Sequence, residues 1–247
     1  MTRKLVVLDV SPWSERAKWA LDHHGLAYEV VHHMPILGER RLRRLVGPDK
    51  PRATVPVLVV DAEVLTESWD IALYADREGR ASKLIPPEHE AAIRDWCTLA
   101  DEASNAGRAL VVAATLASGP ALDEQGPPAP RWLKRILRPA GRAATRAFAR
   151  KYGLALEDRD TPTRKVRAAL DRLRSGLGTG APYLQGFFSY ADITMATLLQ
   201  GIVPVSDRFM KIGPATRHAW TQPQLAAEYA DLIAWRDRLY ESRRPAA

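Results

Sequence analysis

The sequence predicts a two-part chain, a small α/β domain over residues 1–80 followed by an all-helical domain over residues 88–247. Three observations carry the prediction. Runs of β-formers at Lys4 to Asp9, Tyr28 to Val31, Val57 to Val60 and Val64-Leu65 are confined to the first third of the chain. Helix-start signals alternate with them at Ser11-Pro12 and at Ser68. From Pro86-Pro87 onward the strand signal stops and apolar residues recur at helical spacing, which marks a domain boundary near residues 80 to 88.

Each element follows from local chemistry. Ser11 suits an N-cap, and Pro12 at the first helical position has no amide to leave unsatisfied. Trp13, Ala17, Ala20, Leu21 and His24 then recur along one helix that Gly25 ends. After the strand at Tyr28 to Val31, Leu42 and Leu45 among Arg40, Arg41, Arg43 and Arg44 suggest a short helix. Pro56 cannot donate to a ladder, so it stands at a strand start or an edge. The strands on either side of Asp61-Ala62-Glu63 form an antiparallel pair, and Ser68 caps a helix bearing Ile71, Ala72, Leu73 and Tyr74.

In the second domain, Ile93, Trp96, Cys97, Ala100, Leu110 and Val111 line a long helix. Gly119 to Pro130 reads as a Gly/Pro-rich break, and basic helical segments follow to Tyr152, kinked at Pro139. Val166, Leu170, Leu173 and Leu177 face one way on a further helix. Ser189-Tyr190-Ala191-Asp192 is a capping box, with Phe188 placed to staple onto Ile193. Leu225 to Tyr240 reads as a last helix with Trp235 and Leu239 on its apolar face.

With 46% hydrophobic and 26% charged residues in 247, the composition is that of a globular protein with a real core. The apolar run Leu5-Val6-Val7-Leu8 is too short for a secretory signal, and no uncharged stretch approaches the roughly 20 residues of a membrane span. No transmembrane segment and a cytoplasmic location are expected. A single cysteine, Cys97, leaves no internal disulfide and no zinc pattern, and it reads as a small core residue. The pairs His23-His24 and His32-His33 lack an acidic helix motif, so no metal site is expected. Arg131 to Lys151 holds eight cations and no acid, which accounts for more than the whole net charge of +7. As a helix, this stretch makes a cationic stripe for an anionic surface partner or for attracting acidic substrates at a site mouth; the competing role is a solvated face.

Taken together, Ser11-Pro12-Trp13-Ser14-Glu15-Arg16, Thr54-Val55-Pro56-Val57-Leu58, Glu67-Ser68-Trp69-Asp70-Ile71 and Ser189-Tyr190-Ala191-Asp192-Ile193 resemble the cytosolic glutathione transferase family of serine type. The resemblance covers nearly the whole chain except about Gly119 to Pro162, an insertion longer than the family's usual connection. It implies a thioredoxin-like amino-terminal domain holding glutathione as co-substrate, a helical domain supplying most of the pocket for a small, largely apolar electrophile, a homodimer, and a role in detoxification. No metal is implied.

A free thiol with pKa about 8.5 is only a few per cent ionised at neutral pH, and the thiolate is the nucleophile. Lowering that pKa by about two units takes roughly 2.7 kcal/mol of preference for the anion. A hydroxyl donor at a helix amino terminus is a suitable source. Ser11 is the first candidate for this catalytic role and Ser14 the second; the competing role for either is purely structural. They occupy the positions that cysteines fill in CxxC redox proteins, so conjugation, isomerisation or dehalogenation is favoured over thiol reduction. By the resemblance, Pro56 is cis, Val55 pairs its backbone with the cysteinyl unit, and Glu67 and Ser68 hold the γ-glutamyl end. Thr54 stands where the family often has lysine or glutamine, which leaves Arg40, Arg41, Arg43 or Arg44 for the glycine carboxylate. Trp13, Trp96 and Leu110 are candidates for the second-substrate pocket, with core packing as the competing role. A glutathione transferase is the first reading; a glutathione-dependent isomerase or dehalogenase and a non-catalytic binding module are the alternatives.

Overall fold

The computed structural model describes residues 2–35, 38–48 and 52–244; residues 1 and 245–247, the extreme ends of the two expected domains, lie outside them. The first apolar run forms β1 (Arg3–Val7), which ends before Asp9 because Asp9 and Val10 turn the chain into α1 (Pro12–His23). Ser11 is the N-cap and Pro12 opens the helix, as expected. Gly25, with φ +64°, follows the C-cap in the left-handed region that favours glycine. Then come β2 (Glu29–His32), α2 (Glu39–Val46), β3 (Val57–Val60), β4 (Glu63–Leu65) and α3 (Ser68–Glu78).

The strands form one mixed sheet in the order β2-β1-β3-β4. β1 runs parallel to β2 with Leu5 opposite Val30, antiparallel to β3 with Leu5 opposite Leu58, and β3 runs antiparallel to β4. Pro56 stands just before β3, so the interior strand loses no ladder donor. Leu5, Val7 and Leu58 are fully buried on one face, while Val6 and Val57 on the other pack with Leu42 of α2 and with Ala53. Burial on both faces is why β1 and β3 read as continuous apolar runs rather than alternating ones. This is the expected thioredoxin-like α/β arrangement.

After a 3-10 turn at Pro87–His89 all remaining elements among the described residues are helical: α4 (Glu90–Ala117), α5 (Gly119–Gln125), α6 (Arg131–Lys151), α7 (Asp160–Leu177), α8 (Tyr190–Leu198), α9 (Pro214–Trp220), α10 (Pro223–Glu228) and α11 (Ala230–Arg243). Three expectations are corrected. The break at Gly119 to Pro130 contains α5, because the Ser118 hydroxyl accepts from the Ala121 amide at 3.3 Å and Pro120 sits in the first turn, the same signal that starts α1. The last helix is two, split at Tyr229, whose buried ring leaves the helical backbone and whose hydroxyl donates to Asp171 Oδ1 at 2.7 Å. Helix α3 is capped by Glu67 rather than Ser68: Glu67 is extended and its carbonyl accepts from the Ile71 amide at 3.0 Å, which makes Ser68 the first helical residue.

The chain forms two compact units. Among the described residues, one is built from those up to Cys97, from Thr179–Thr197 and from Arg238 to Arg244; the other from Thr98–Gly178 and Leu198–Asp237. In the first, Trp19 is fully buried, its indole donates to the Arg243 carbonyl at 3.1 Å, and its ring meets Tyr240. Arg244 donates to Glu15 at 2.8 Å and to Asp22 at 2.5 Å, which ties the end of the chain onto α1. In the second, Val166, Leu170, Leu173 and Leu177 are buried as their spacing predicts, and the Trp220 indole donates to the Thr115 hydroxyl at 2.8 Å.

Candidate functional site

The turn between β1 and α1 is held to Leu8 from two sides. The Leu8 carbonyl accepts from the Ser11 amide at 2.9 Å, and the Leu8 amide donates to the Ser14 hydroxyl at 3.1 Å. The two candidate serines therefore sit in different environments. Ser14 is 0% exposed, with its oxygen engaged by the turn. Ser11 is half-buried, and as N-cap it makes no side-chain capping hydrogen bond. Its hydroxyl stands at the amino terminus of a twelve-residue helix, where the partial positive charge of the helix is concentrated.

The Val55-Pro56 peptide is cis. Pro56 is buried, and half-buried Val55 packs against the Val6, Leu42, Ala53 and Val57 cluster, which seats this turn on the sheet. Glu67 is exposed and makes no side-chain capping hydrogen bond. Ser68 is buried, and its carbonyl accepts from the Tyr190 hydroxyl at 2.9 Å. Ser11, Val55, Pro56, Glu67 and Ser68 all belong to the first unit.

Tyr190 buttresses the Ser68 backbone, a contact for which the sequence carries no signal beyond the second place in a capping box. Its support rests on Asp192, whose carboxylate accepts from the Leu184 and Ser189 amides, each at 2.8 Å, and from the Ser189 hydroxyl at 3.0 Å. Burial pushes the Asp192 carboxyl up to about 6, and these three donors pull against that rise. Trp69 lies beside Tyr190. Its indole Nε1 is buried with no acceptor among the described residues, the Arg94 guanidinium lies 4.0 Å from its ring, and Tyr190 meets it edge-on.

The second-substrate candidates separate. Trp13 and Trp96 are half-buried in the first unit, and the Arg16 guanidinium lies 5.4 Å from the Trp13 ring. Leu110 is buried within the second unit, which gives it a core role there. Arg40, Arg41, Arg43 and Arg44 are exposed on α2. Cys97 is buried near the Thr194 hydroxyl. The four histidines of the two sequence pairs are distributed among separate partners, His23 to the Ser82 carbonyl, His24 to Asp76, His32 to Asp9 and His33 to Glu39. Among the described residues no group of three or more His, Cys, Asp or Glu side chains is placed to hold a metal ion. No described helix is long and apolar enough to cross a membrane.

Residues 5–82 match the family described as glutathione S-transferase, N-terminal domain. A probable glutathione S-transferase of Zea mays is 32% identical over 104 residues, 38% of this chain and 43% of the relative. Glutathione S-transferase U2 of Arabidopsis thaliana is 30% identical over 102 residues, 40% and 44% of the two chains. The chain thus spans less than half the length of the curated relatives it matches. Among solved structures, a glutathione S-transferase of Ceriporiopsis subvermispora in complex with glutathione has a TM-score of 0.64 at 19% identity, covering 100% of this chain and 99% of that one. The β-etherase LigF of Sphingobium sp. strain SYK-6 has a TM-score of 0.63 at 22% identity, covering 97% and 95%. The structural likeness extends over both units and shows the fold; the sequence match is concentrated in the domain that carries the serine turn, the cis-proline and the Glu67-Ser68 pair. Residues 5–82 thus carry a glutathione S-transferase amino-terminal domain, and the chain has the fold of the glutathione transferases it resembles.

Proposed function

We propose that this protein is a glutathione transferase-like enzyme in which Ser11 donates a hydrogen bond to the glutathione thiolate, readying it to attack an electrophilic, largely apolar small molecule. The observation that supports this reading most is the contrast between the two serines: Ser14 is spent on the turn, while Ser11 keeps its hydroxyl off the backbone of its own helix. A hydroxyl donor and a helix amino terminus together favour the anion over the thiol without moving a proton onto the protein. The proton leaves to solvent, and sulfur attacks the electrophile with departure of its leaving group.

The other end of the peptide has matching chemistry. Its γ-glutamyl unit carries an ammonium, which suits the exposed Glu67 carboxylate, and a carboxylate, which suits the Ser68 hydroxyl and the amides opening α3. The Val55 backbone receives the cysteinyl unit, and the arginines of α2 are the nearest-sequence source of a cation for the glycine carboxylate. Several of the similar solved structures were determined with glutathione bound, which supports the same ligand here.

Calorimetry with glutathione on wild type, Glu67→Ala and Ser11→Ala tests the reading. Binding is expected, weakened about tenfold in Glu67→Ala, the scale of one charge-assisted contact at an exposed site. In Ser11→Ala the ultraviolet signal of bound thiolate shifts to higher pH by one to two units, as about 1.4 kcal/mol is lost per unit. No binding at millimolar glutathione, or an unchanged thiolate signal in Ser11→Ala, refutes it.

A further inference from the structure

Helix α6 presents charge and apolar surface on the same solvent-facing side. Six large hydrophobic side chains are exposed among the described residues, and three of them, Trp132, Ile136 and Leu137, lie on this helix, the first two 65% exposed. At about 3.6 residues per turn, Trp132, Ile136, Pro139 and Ala143 form one exposed row, and the exposed Arg131, Arg135 and Arg146 flank it along one side. Arg150 extends the same face to the helix end, about 28 Å from Arg131. Arg138, two turns on from Arg131, is instead drawn to α5, where it makes a two-pronged pair with Asp123, its Nε at 2.8 Å and its Nη2 at 2.6 Å.

We propose that this face of α6 docks onto an anionic lipid surface, its arginines pairing with phosphate headgroups and Trp132 and Ile136 entering the headgroup–acyl boundary. The charge pattern selects the occupant. With eight cations and no acid on the helix, a twofold contact between two copies of α6 would oppose like charges, which excludes self-pairing through this face. A purely electrostatic partner such as duplex DNA leaves Trp132 and Ile136 in water, whereas a lipid interface removes their apolar surface and neutralises the arginines at once. The inference uses none of the residues assigned to the thiol site and does not depend on the function proposed above.

Co-sedimentation of the full chain with vesicles tests it, using phosphatidylcholine alone and phosphatidylcholine with about one-third phosphatidylglycerol. Binding to the anionic vesicles is expected at low ionic strength, fading as salt is added, with little binding to the neutral ones. Arg135→Gln/Arg146→Gln lowers partitioning about 25-fold, from about fivefold for each cation at such a surface. Trp132→Ser/Ile136→Ser lowers it at least about tenfold, since both side chains would otherwise lose exposed apolar area. Both side chains are largely exposed, so this variant keeps the wild-type unfolding midpoint and the comparison reads docking rather than folding. Absence of binding to anionic vesicles, equal binding to both vesicle types, or full binding by the Trp132→Ser/Ile136→Ser variant overturns the proposal. Duplex DNA that displaces the protein from vesicles and binds the Trp132→Ser/Ile136→Ser variant as well as wild type reassigns the stripe to nucleic acid and overturns it too.

Discussion

Replacing Asp192 with asparagine keeps the side-chain shape and removes the titration. In the folded chain burial lifts this carboxyl from 3.8 to about 6, although two amides and a hydroxyl donate to it. The folded state therefore holds a proton more tightly than the unfolded state. The unfolded state binds fewer protons between pH 4 and 6, so this group's contribution to stability falls as pH rises through that window and is level above it. Linkage with these two values gives a loss of about 2 kcal/mol between pH 4.5 and pH 7.5. Asparagine has no such dependence, so the stability advantage of wild type over Asp192→Asn is expected to shrink by that amount from the lower to the higher pH. Urea unfolding of both proteins at the two pH values, followed by circular dichroism, measures it; other titrating groups cancel in the difference. An advantage that stays constant, or grows with pH, refutes the reasoning, because it would mean that the three donors outweigh burial and hold the carboxyl at or below its ordinary value. The consequence reaches the candidate site: α8 carries Tyr190, whose hydroxyl buttresses Ser68, so Asp192→Asn should also weaken glutathione binding in proportion to the loss of α8 order.

Two further outcomes follow from buried polar groups. Ser14→Ala leaves the Leu8 amide without its acceptor and costs about 1–3 kcal/mol, more than Ser11→Ala, whose side chain caps nothing; a reversed order of unfolding midpoints refutes this assignment of the two serines. Arg244→Ala leaves Glu15 without its buried partner and Asp22 without its cation, at a cost of about 3–5 kcal/mol, while replacing all three with Met, Gln and Asn restores most of it; a loss under about 1 kcal/mol in the single variant counts against the clamp.

The sequence alone was sufficient for the element order of the amino-terminal domain, because its signals are local. Ser11-Pro12 starts a helix whatever surrounds it, Gly25 ends it by adopting a φ of +64°, and the apolar runs of β1 and β3 announce a sheet buried on both faces. The start of α8 was legible for the same reason, since Ser189 and Asp192 are three residues apart and bond to each other. Where a local signal was present but outweighed by composition, as at Ser118-Gly119-Pro120, the glycines and prolines around it hid a helix.

Tertiary structure decided what partner each polar group finds, and no local rule supplies that. Two serines three residues apart look interchangeable in a sequence, yet Ser14 turns inward to the Leu8 amide and Ser11 does not. The break at Tyr229 depends on Asp171, 58 residues away, and the support of Ser68 depends on Tyr190, 122 residues away. The exposed row on α6 is of the same kind: spacing shows that Trp132 and Ile136 share a side, but only the fold leaves that side facing water while Arg138 is drawn to Asp123 of α5. Periodicity and capping act within a few residues of chain, whereas desolvation and hydrogen-bond pairing are set by whatever the fold brings near.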